Sequence, residues 1–507
     1  MSNPFIPRTV NNDFLFQYDL SENQETQARL ISITDTIIRL LTEEAKVFTK
    51  LIQEWMKLSA LLTKQPVAES YVTHWRWMNS LLSESIESTM DRNRDYASRQ
   101  NADPSAESGR EKPEHLKILF LSWEFPPHIV GGLSRHVHGL TKSLTKNGHE
   151  IHVITAGTDH LPVLETMDGV IIHRVKPLCV NEKDFLLWIG GLNIAIAEKA
   201  VALASEKSFD CIHSHDWLVG AAAISLKKHL ALPLVTTIHA TEYGRNNGIY
   251  TEMQRFIHEK EKQLVEQSDQ LIVCSDFMKE EVHKLFKPAN QKIVIIPNGI
   301  DDEMEIGNAQ RDYLADIEVD PDQRVIFSIG RMVKEKGFDT LIDAAAVLKG
   351  KGIPVLFIIA GKGPMLEVYR RKVCEMNLTD TVQFIGFIED EKRNRLLDLA
   401  EMAVFPSLYE PFGIVALEAM QAGKPTIVSN TGGLKGIVRH LETGILIEPA
   451  NSDDVAAQIT HLLMNPDLAN DIGRNAKKAV QSQFSWNVAA EETGQLYNKV
   501  FNTRKHQ

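Results

Sequence analysis

Two glutamates, Glu410 and Glu418, stand in YEPFGIVALEAMQAGKP (409–425), a stretch otherwise almost wholly apolar. A carboxylate accepts hydrogen bonds from hydroxyls, and one beside an electron-poor carbon stabilises the positive charge that develops there. Upstream, GRMVKEKG brings Arg331 and Lys336 into one short segment. A guanidinium fork and an ammonium so close together can clamp a diphosphate, although an isolated R-x4-K also suits a solvated surface turn. The segment PPHIVGGLSRH supplies Gly131 and Gly132, which let backbone amides approach an anion at a helix start, or simply form a tight turn. It is neither the dinucleotide fingerprint nor a P-loop. Further polar residues follow apolar runs: His215 and Asp216 in HSHDW, His239, Glu242 and Arg245 in TIHATEYGRNNG, and Asn298 in IPNGID. A lone histidine at such a place is usually structural; several polar residues at successive strand ends are a stronger signal, because a parallel sheet gathers those ends.

The elements that must position them are short strands alternating with helices. Val- and Ile-rich runs over 116–121, 151–155, 170–175, 234–237, 271–274 and 293–296 read as strands of one sheet. Runs over 325–329, 354–360, 382–385, 402–405 and 426–429 repeat the habit. Near-continuous apolar strands separated by helices mean parallel sheets covered on both faces. We therefore expect an α/β protein with two doubly wound domains, 114–305 and 306–485, and a last helix over 486–507. Ligands of such sheets lie at the carboxyl ends of the strands, where all the residues above fall. Glu410 precedes a helix beginning near Ile414, Glu418 lies inside it, and Gly423-Lys-Pro425 ends it. Both carboxylates can then face one cleft, with free amides near Gly413 between them. Residues 1–95 carry apolar positions at three- and four-residue steps and read as a helical hairpin or small bundle; 96–113 read as a polar linker.

Bulk properties exclude several classes. The chain has 507 residues, 43% hydrophobic and 24% charged, with formal net charge -12 and pI ≈ 5.9, which argues against broad nucleic-acid binding. Its four cysteines form no C-x-x-C pair and fit a reducing compartment. The N-terminus lacks a signal-peptide pattern and no run reaches the roughly 20 apolar residues of a membrane span, so a cytoplasmic location is expected. Asp320-Pro-Asp322, the nearest thing to a metal-binding D-x-D, precedes a strand and reads as a turn.

In order along the chain, PPHIVGGLSRH, TIHATEYGR, IPNGID, GR-x4-KG and E-P-F-G-x4-E resemble the motifs of family 4 glycosyltransferases of the GT-B fold, in their glycogen-synthase-like branch. The resemblance spans roughly 115–490. It implies two facing Rossmann-like domains, the first on the acceptor side and the second holding the donor, with the last helix crossing back to the first. It implies retaining transfer of a hexosyl group, without metal or other cofactor, from a nucleotide sugar to a carbohydrate acceptor. Arg331 and Lys336 would bind the diphosphate, with Gly131 and Gly132 offering amides to it. Glu410 would hold donor-sugar hydroxyls, Glu418 the ribose, and Phe412, Gly413 and Ile414 would lie beside the donor. His239 would stand beside the sugar, and Glu410, His239, Arg331 and Lys336 form the expected catalytic set. His215, Asp216, Glu242, Arg245 and Asn298 are expected on the acceptor side. Enzymes of the ADP-glucose type carry K-x-G-G-L where this chain has Ile129-Val-Gly-Gly-Leu; UDP-glucose, ADP-glucose or another nucleotide hexose stay open as donors. Small-molecule, lipid or protein acceptors are alternatives to an α-glucan. A different class of function is a nucleotide-sugar-sensing scaffold, in which the N-terminal helices bind a protein partner or a second copy.

Overall fold

The computed structural model describes residues 115–177, 185–300, 320 and 322–504. The helical segment over 1–95, the linker over 96–113 and the partner-binding role assigned to them lie outside the described residues.

Two sheets organise what is described. The first contains β1 (Lys117–Leu121), β2 (Glu150–Ala156), β3 (Leu164–Met167), β4 (Val170–Val175), β5 (Cys211–His215), β6 (Leu234–Ile238), β7 (Gln270–Val273) and β8 (Ile293–Ile295). Its helices are α1 (Gly132–Lys146), α2 (Phe185–Glu206), α3 (Gly220–His229), α4 (Glu242–Asn246), α5 (Glu252–Gln267) and α6 (Asp276–Phe286). The strand order is β3-β4-β2-β1-β5-β6-β7-β8, parallel throughout except the β3–β4 edge pair. The second sheet runs β11-β10-β9-β12-β13-β14, all parallel, from β9 (Arg324–Ile329), β10 (Val355–Ala360), β11 (Val382–Gly386), β12 (Met402–Phe405), β13 (Thr426–Ser429) and β14 (Ile445–Ile447). With it go α7 (Phe338–Gly350), α8 (Leu366–Glu375), α9 (Asp390–Leu399), α10 (Ile414–Gln421), α11 (Leu434–Ile437), α12 (Ser452–Met464), α13 (Pro466–Gln483) and α14 (Trp486–Arg504).

Each sheet reverses its winding once. In the first lobe the chain leaves β1 toward β2 and later returns to its other side with β5; in the second it leaves β9 toward β10 and returns with β12. At such switch points the loops after the two central strands diverge and leave a crevice. The loops in question are 122–131 and 216–219 in the first lobe, 330–337 and 406–413 in the second. They hold Gly131, Asp216, the Arg331/Lys336 segment and Glu410, with Gly132 opening α1 directly after.

Central strands such as β1 (KILFL) and β10 (VLFIIA) are buried along nearly their whole length, as strands covered on both faces must be. Three strands carried little signal in the sequence. β3 and β14 are short, and β3 alternates between exposed and half-buried positions at an edge. β5 (CIHSH) is fully buried yet polar, because its side chains bond one another's neighbours: His213 Nε2 lies 2.7 Å from Thr237 Oγ1, and Ser214 Oγ 2.8 Å from Thr236 Oγ1.

The final helix α14 packs on the first lobe. Trp486, Ala489, Ala490, Leu496, Tyr497 and Val500 join Phe120, Val137 and Leu140 in one apolar cluster. Each large side chain buried this way contributes about 1.5–3 kcal/mol. Gly139 of α1 makes the contact close: any Cβ there would run into the Trp486 ring. Among the described residues no helix is long and apolar enough to cross a membrane.

Candidate active site

In the second lobe, the two switch-point loops are built against each other. Gly337 opens α7 with φ 69°, a left-handed conformation that glycine adopts without strain, and a Cβ there would strike the Pro406 carbonyl. Leu408 N donates to the Glu335 carbonyl at 2.8 Å. This docking brings Lys336 Nζ to 2.5 Å from Glu410 Oε2, which Ser407 Oγ also approaches at 3.2 Å. Glu410 is buried, with Gly432 and Gly433 packed on its backbone, and Gly433 N donates to its carbonyl at 2.8 Å. Arg331 Nη2 lies 3.4 Å from Glu335 Oε1. Gly413, at φ 116°, turns the chain into α10, whose first amides point at the crevice, and Glu418 follows on that helix, buried.

In the first lobe, the glycine pair is held by a residue that sequence reasoning passed over. Glu124, buried in the β1–α1 loop, accepts from Val130 N at 2.5 Å and Gly131 N at 3.2 Å through Oε2. Burial pushes it up to about 7, against the pull of those amides and of Arg331. Gly132 then begins α1, and a Cβ added at Gly131 or Gly132 would come into contact with Arg331 or Ile414 across the crevice. Asp216 follows β5 at φ 56°, a costly conformation for a non-glycine residue, and its Oδ1 accepts from His239 N at 2.7 Å. Burial raises Asp216 to about 6, with Arg245 opposing. His239 is lowered to about 3 by burial and by Arg245, so it is a neutral imidazole at the cleft wall.

Asp216, His239, Glu242, Arg245 and Asn298 line one cavity of about 530 Å³, together with Gly131, Gly132, Arg331, Lys336, Glu410, Phe412, Gly413, Ile414 and Glu418. That size suits a ligand of a few hundred daltons. His215 is placed differently: it is the last residue of β5, wholly buried, one layer beneath His239, with Nδ1 3.2 Å from His239 Nε2. Behind both stands His136, whose Nδ1 lies 2.7 Å from Asn298 Oδ1. Among the described residues these three histidines are the one group of potential metal ligands, their nitrogens within 4.8 Å of one another. The neighbouring charge of Arg245, which already depresses His239, opposes a dication there.

The electrostatics favour an anion in the crevice. Burial and then the neighbouring charge of Arg245, across the crevice, lower Arg331 of the second lobe. An anion between them, met also by the N-termini of α1 and α10, would relieve that repulsion. Besides Glu124, the sequence reading missed Arg135 and Arg393, which engage Glu418. The signal for Arg135 was its place one turn after Gly132 on an expected helix; nothing in the sequence marked Arg393.

Two parallel-sheet lobes opening a charged cleft at paired switch points define a GT-B glycosyltransferase. The chain belongs to the family 4 glycosyltransferases: residues 130–304 match the model described as Glycosyltransferase Family 4, and residues 310–479 that described as Glycosyl transferases group 1. An uncharacterized glycosyltransferase of Methanocaldococcus jannaschii is 37% identical over 386 residues, 75% of this chain and 98% of the relative. A glycogen synthase of Mycobacterium tuberculosis is 33% identical over 399 residues, 75% of this chain and 94% of the relative. Among solved structures, a sucrose-phosphate synthase from Thermosynechococcus elongatus superposes with a TM-score of 0.67 at 26% identity, over 76% of this chain and all of the other.

Proposed function

We propose that the protein transfers a hexosyl group, with retention and without a metal, from a nucleotide-diphosphate sugar to a carbohydrate acceptor in the cytoplasm. Glucose is the sugar we favour and an α-glucan the product, as the glycogen synthase relative suggests. The observation that carries this reading is the meeting of Lys336, Glu410, Arg331, Glu418 and the glycine pair around one cleft.

The donor's diphosphate lies along Arg331, Lys336 and the amide end of α1. As the bond from the anomeric carbon to the β-phosphate oxygen breaks, negative charge grows on the phosphate, and these groups stabilise it without reorganising. Positive charge grows on the sugar, and the buried Glu410 carboxylate counters it while accepting from a sugar hydroxyl. The acceptor hydroxyl attacks from the same face and passes its proton to the departing phosphate. His239, neutral and set by the Asp216–His239 backbone bond, offers a hydrogen bond to the sugar. Glu242, Arg245 and Asn298 face the acceptor, while the buried His215 supports His239 from behind.

The test is a donor panel (UDP-glucose, ADP-glucose, GDP-mannose, UDP-GlcNAc) scored for hydrolysis and for transfer to glycogen and to small sugars. Turnover with one glucosyl donor is expected, and Glu410→Ala should reduce it about 100-fold or more. Donor binding with no turnover anywhere in the panel would overturn the enzyme reading in favour of a sensor.

A further inference from the structure

Glu418 is held in an unequal way. Its Oε1 takes both of its cationic partners, Arg135 Nη1 at 2.5 Å and Arg393 Nη1 at 3.1 Å. Among the described residues its Oε2 is buried and has no hydrogen-bond partner. A buried carboxylate oxygen left bare is costly, and a native protein tolerates it where something else fills the gap. Asp390 closes the arrangement: its Oδ1 accepts from Arg135 Nη2 at 2.6 Å and from Arg393 Nη1 at 2.7 Å. Two cations and two anions thus form a ring that holds Glu418 at the cleft it lines.

Three members of this ring belong to the second lobe, Asp390 and Arg393 on α9 and Glu418 on α10. Arg135 alone comes from the first lobe, on α1, one turn beyond Gly132. The same helix therefore presents its amide end toward the diphosphate and its first-turn arginine to the carboxylate expected on the ribose.

We infer that Arg135 is a positioning residue for donor recognition: by saturating Oε1 of Glu418 from the opposite lobe, it aims Oε2 at a ribose hydroxyl of the nucleotide. The ribose subsite is then complete only when α1 is docked on the second lobe, so recognition of the nucleoside is coupled to closure of the cleft. This rests on the nucleotide-sugar reading of the site and extends it to a residue outside the catalytic set. Arg135 touches no reacting atom; its effect runs through Glu418, and it belongs in KM for the donor rather than in kcat.

The experiment compares the ribose donor with its 2′-deoxy and 3′-deoxy analogues, for the wild-type chain, Arg135→Met and Asp390→Asn. In the wild type, loss of the hydroxyl that meets Glu418 should raise KM by about 10- to 100-fold, as for a hydrogen bond to a charged group. Arg135→Met should raise KM for the normal donor by a similar factor, leave kcat within about threefold, and shrink the deoxyribose penalty to a few-fold. Asp390→Asn, a near-isosteric change at an exposed side chain, should move both quantities the same way by less, and it keeps the question answerable if Arg135→Met is unstable. A full deoxyribose penalty retained in both variants overturns the proposal. No penalty even in the wild type overturns the placement of Glu418 on the ribose, and no turnover with any nucleotide sugar overturns the function itself, so the three failures are distinguishable.

Discussion

The two walls of the cleft are built on different electrostatics. In the second lobe charges come in pairs: Lys336 with Glu410, Arg331 with Glu335, Arg393 with Glu418. In the first lobe, burial outweighs pairing. It pushes Glu124 to about 7, Asp216 to about 6 and Glu261 to about 8, and holds His239 at about 3. The cause is local. The second lobe places opposite charges on two loops that dock against each other. The first lobe places its polar groups on strand ends, loop floors and α5, where burial outweighs the charges of Arg245 and Arg331 beside them. Paired charges can exchange partners for a permanently charged ligand such as a diphosphate. Groups poised near neutrality suit hydroxyls and respond to pH. Changes in the second lobe should therefore appear as rate, and changes in the first as pH dependence or stability.

The largest effect is expected from Lys336→Met. It removes the cation paired with Glu410 and proposed to face the departing phosphate, and turnover should fall about 100-fold or more, roughly 3 kcal/mol of transition-state stabilisation. The pH optimum should stay where it is, because the first-lobe groups are untouched. Initial-rate profiles from pH 5.5 to 8.5 decide this; a shifted optimum with little loss of rate would mean that the two walls do not divide the work.

Much of this arrangement was legible in the sequence. The alternation of apolar strands with helices gave both sheets, and the rule that ligands gather at strand ends singled out Arg331, Lys336, Glu410, Asp216 and His239 before any geometry was known. All of them line the cleft. What escaped notice depends on contacts between segments far apart in the chain. Arg135 and Arg393 meet Glu418 from 283 and 25 positions away; only Arg135, one turn after Gly132, had any local signal, and that did not point to Glu418. Glu124 sat inside a loop already singled out, but its role comes from bending back onto the amides of Val130 and Gly131. β5 hid because its buried side chains are polar, with His213 and Ser214 bonded to Thr237 and Thr236 of β6, and that removes the apolar pattern on which strand recognition depends. His215 shows the opposite error: a polar residue at a strand end can face the core instead of the crevice.

A smaller effect sharpens the contrast from the first lobe. Glu124 lies on the loop proposed to meet the diphosphate, and its ordinary value near 4.5 is raised to about 7. Its contribution to folding is therefore fully present below about 4.5 and is lost as pH rises through 7. A bound diphosphate adds negative charge beside it and raises it further, so donor binding takes up a proton in the region above pH 7. Donor affinity should be highest below pH 7 and fall by about 3- to 10-fold toward pH 8.5. Glu124→Gln keeps the acceptor for the loop amides and loses the charge, and should flatten the profile. Calorimetric titration in two buffers of different ionisation heat reads the proton directly. An equal slope in the wild type and the variant would assign the dependence elsewhere.

The smallest effect separates histidines that hold the lobe together from the one at the cleft. His213 lies two residues before His215 on β5, and its ring stacks on that of His215 with centroids 4.4 Å apart. Proximity alone would make it a candidate relay to His239. Its hydrogen bonds point the other way: Nδ1 lies 2.6 Å from Tyr497 Oη on α14, and Nε2 meets Thr237. Both nitrogens are thus occupied, one of them by the helix that returns from the second lobe to pack on the first. Tyr497→Phe leaves ring packing in place and strips one buried bond, so it should cost roughly 1–2 kcal/mol and lower Tm by a few degrees, with kcat and donor KM unchanged. Thermal unfolding and initial rates on the same preparation measure both. Unaltered stability with reduced turnover would mean that the His213–Tyr497 bond serves the chemistry, and the first lobe's buried imidazoles would then be a connected chain from α14 to the sugar instead of a packed layer beneath it.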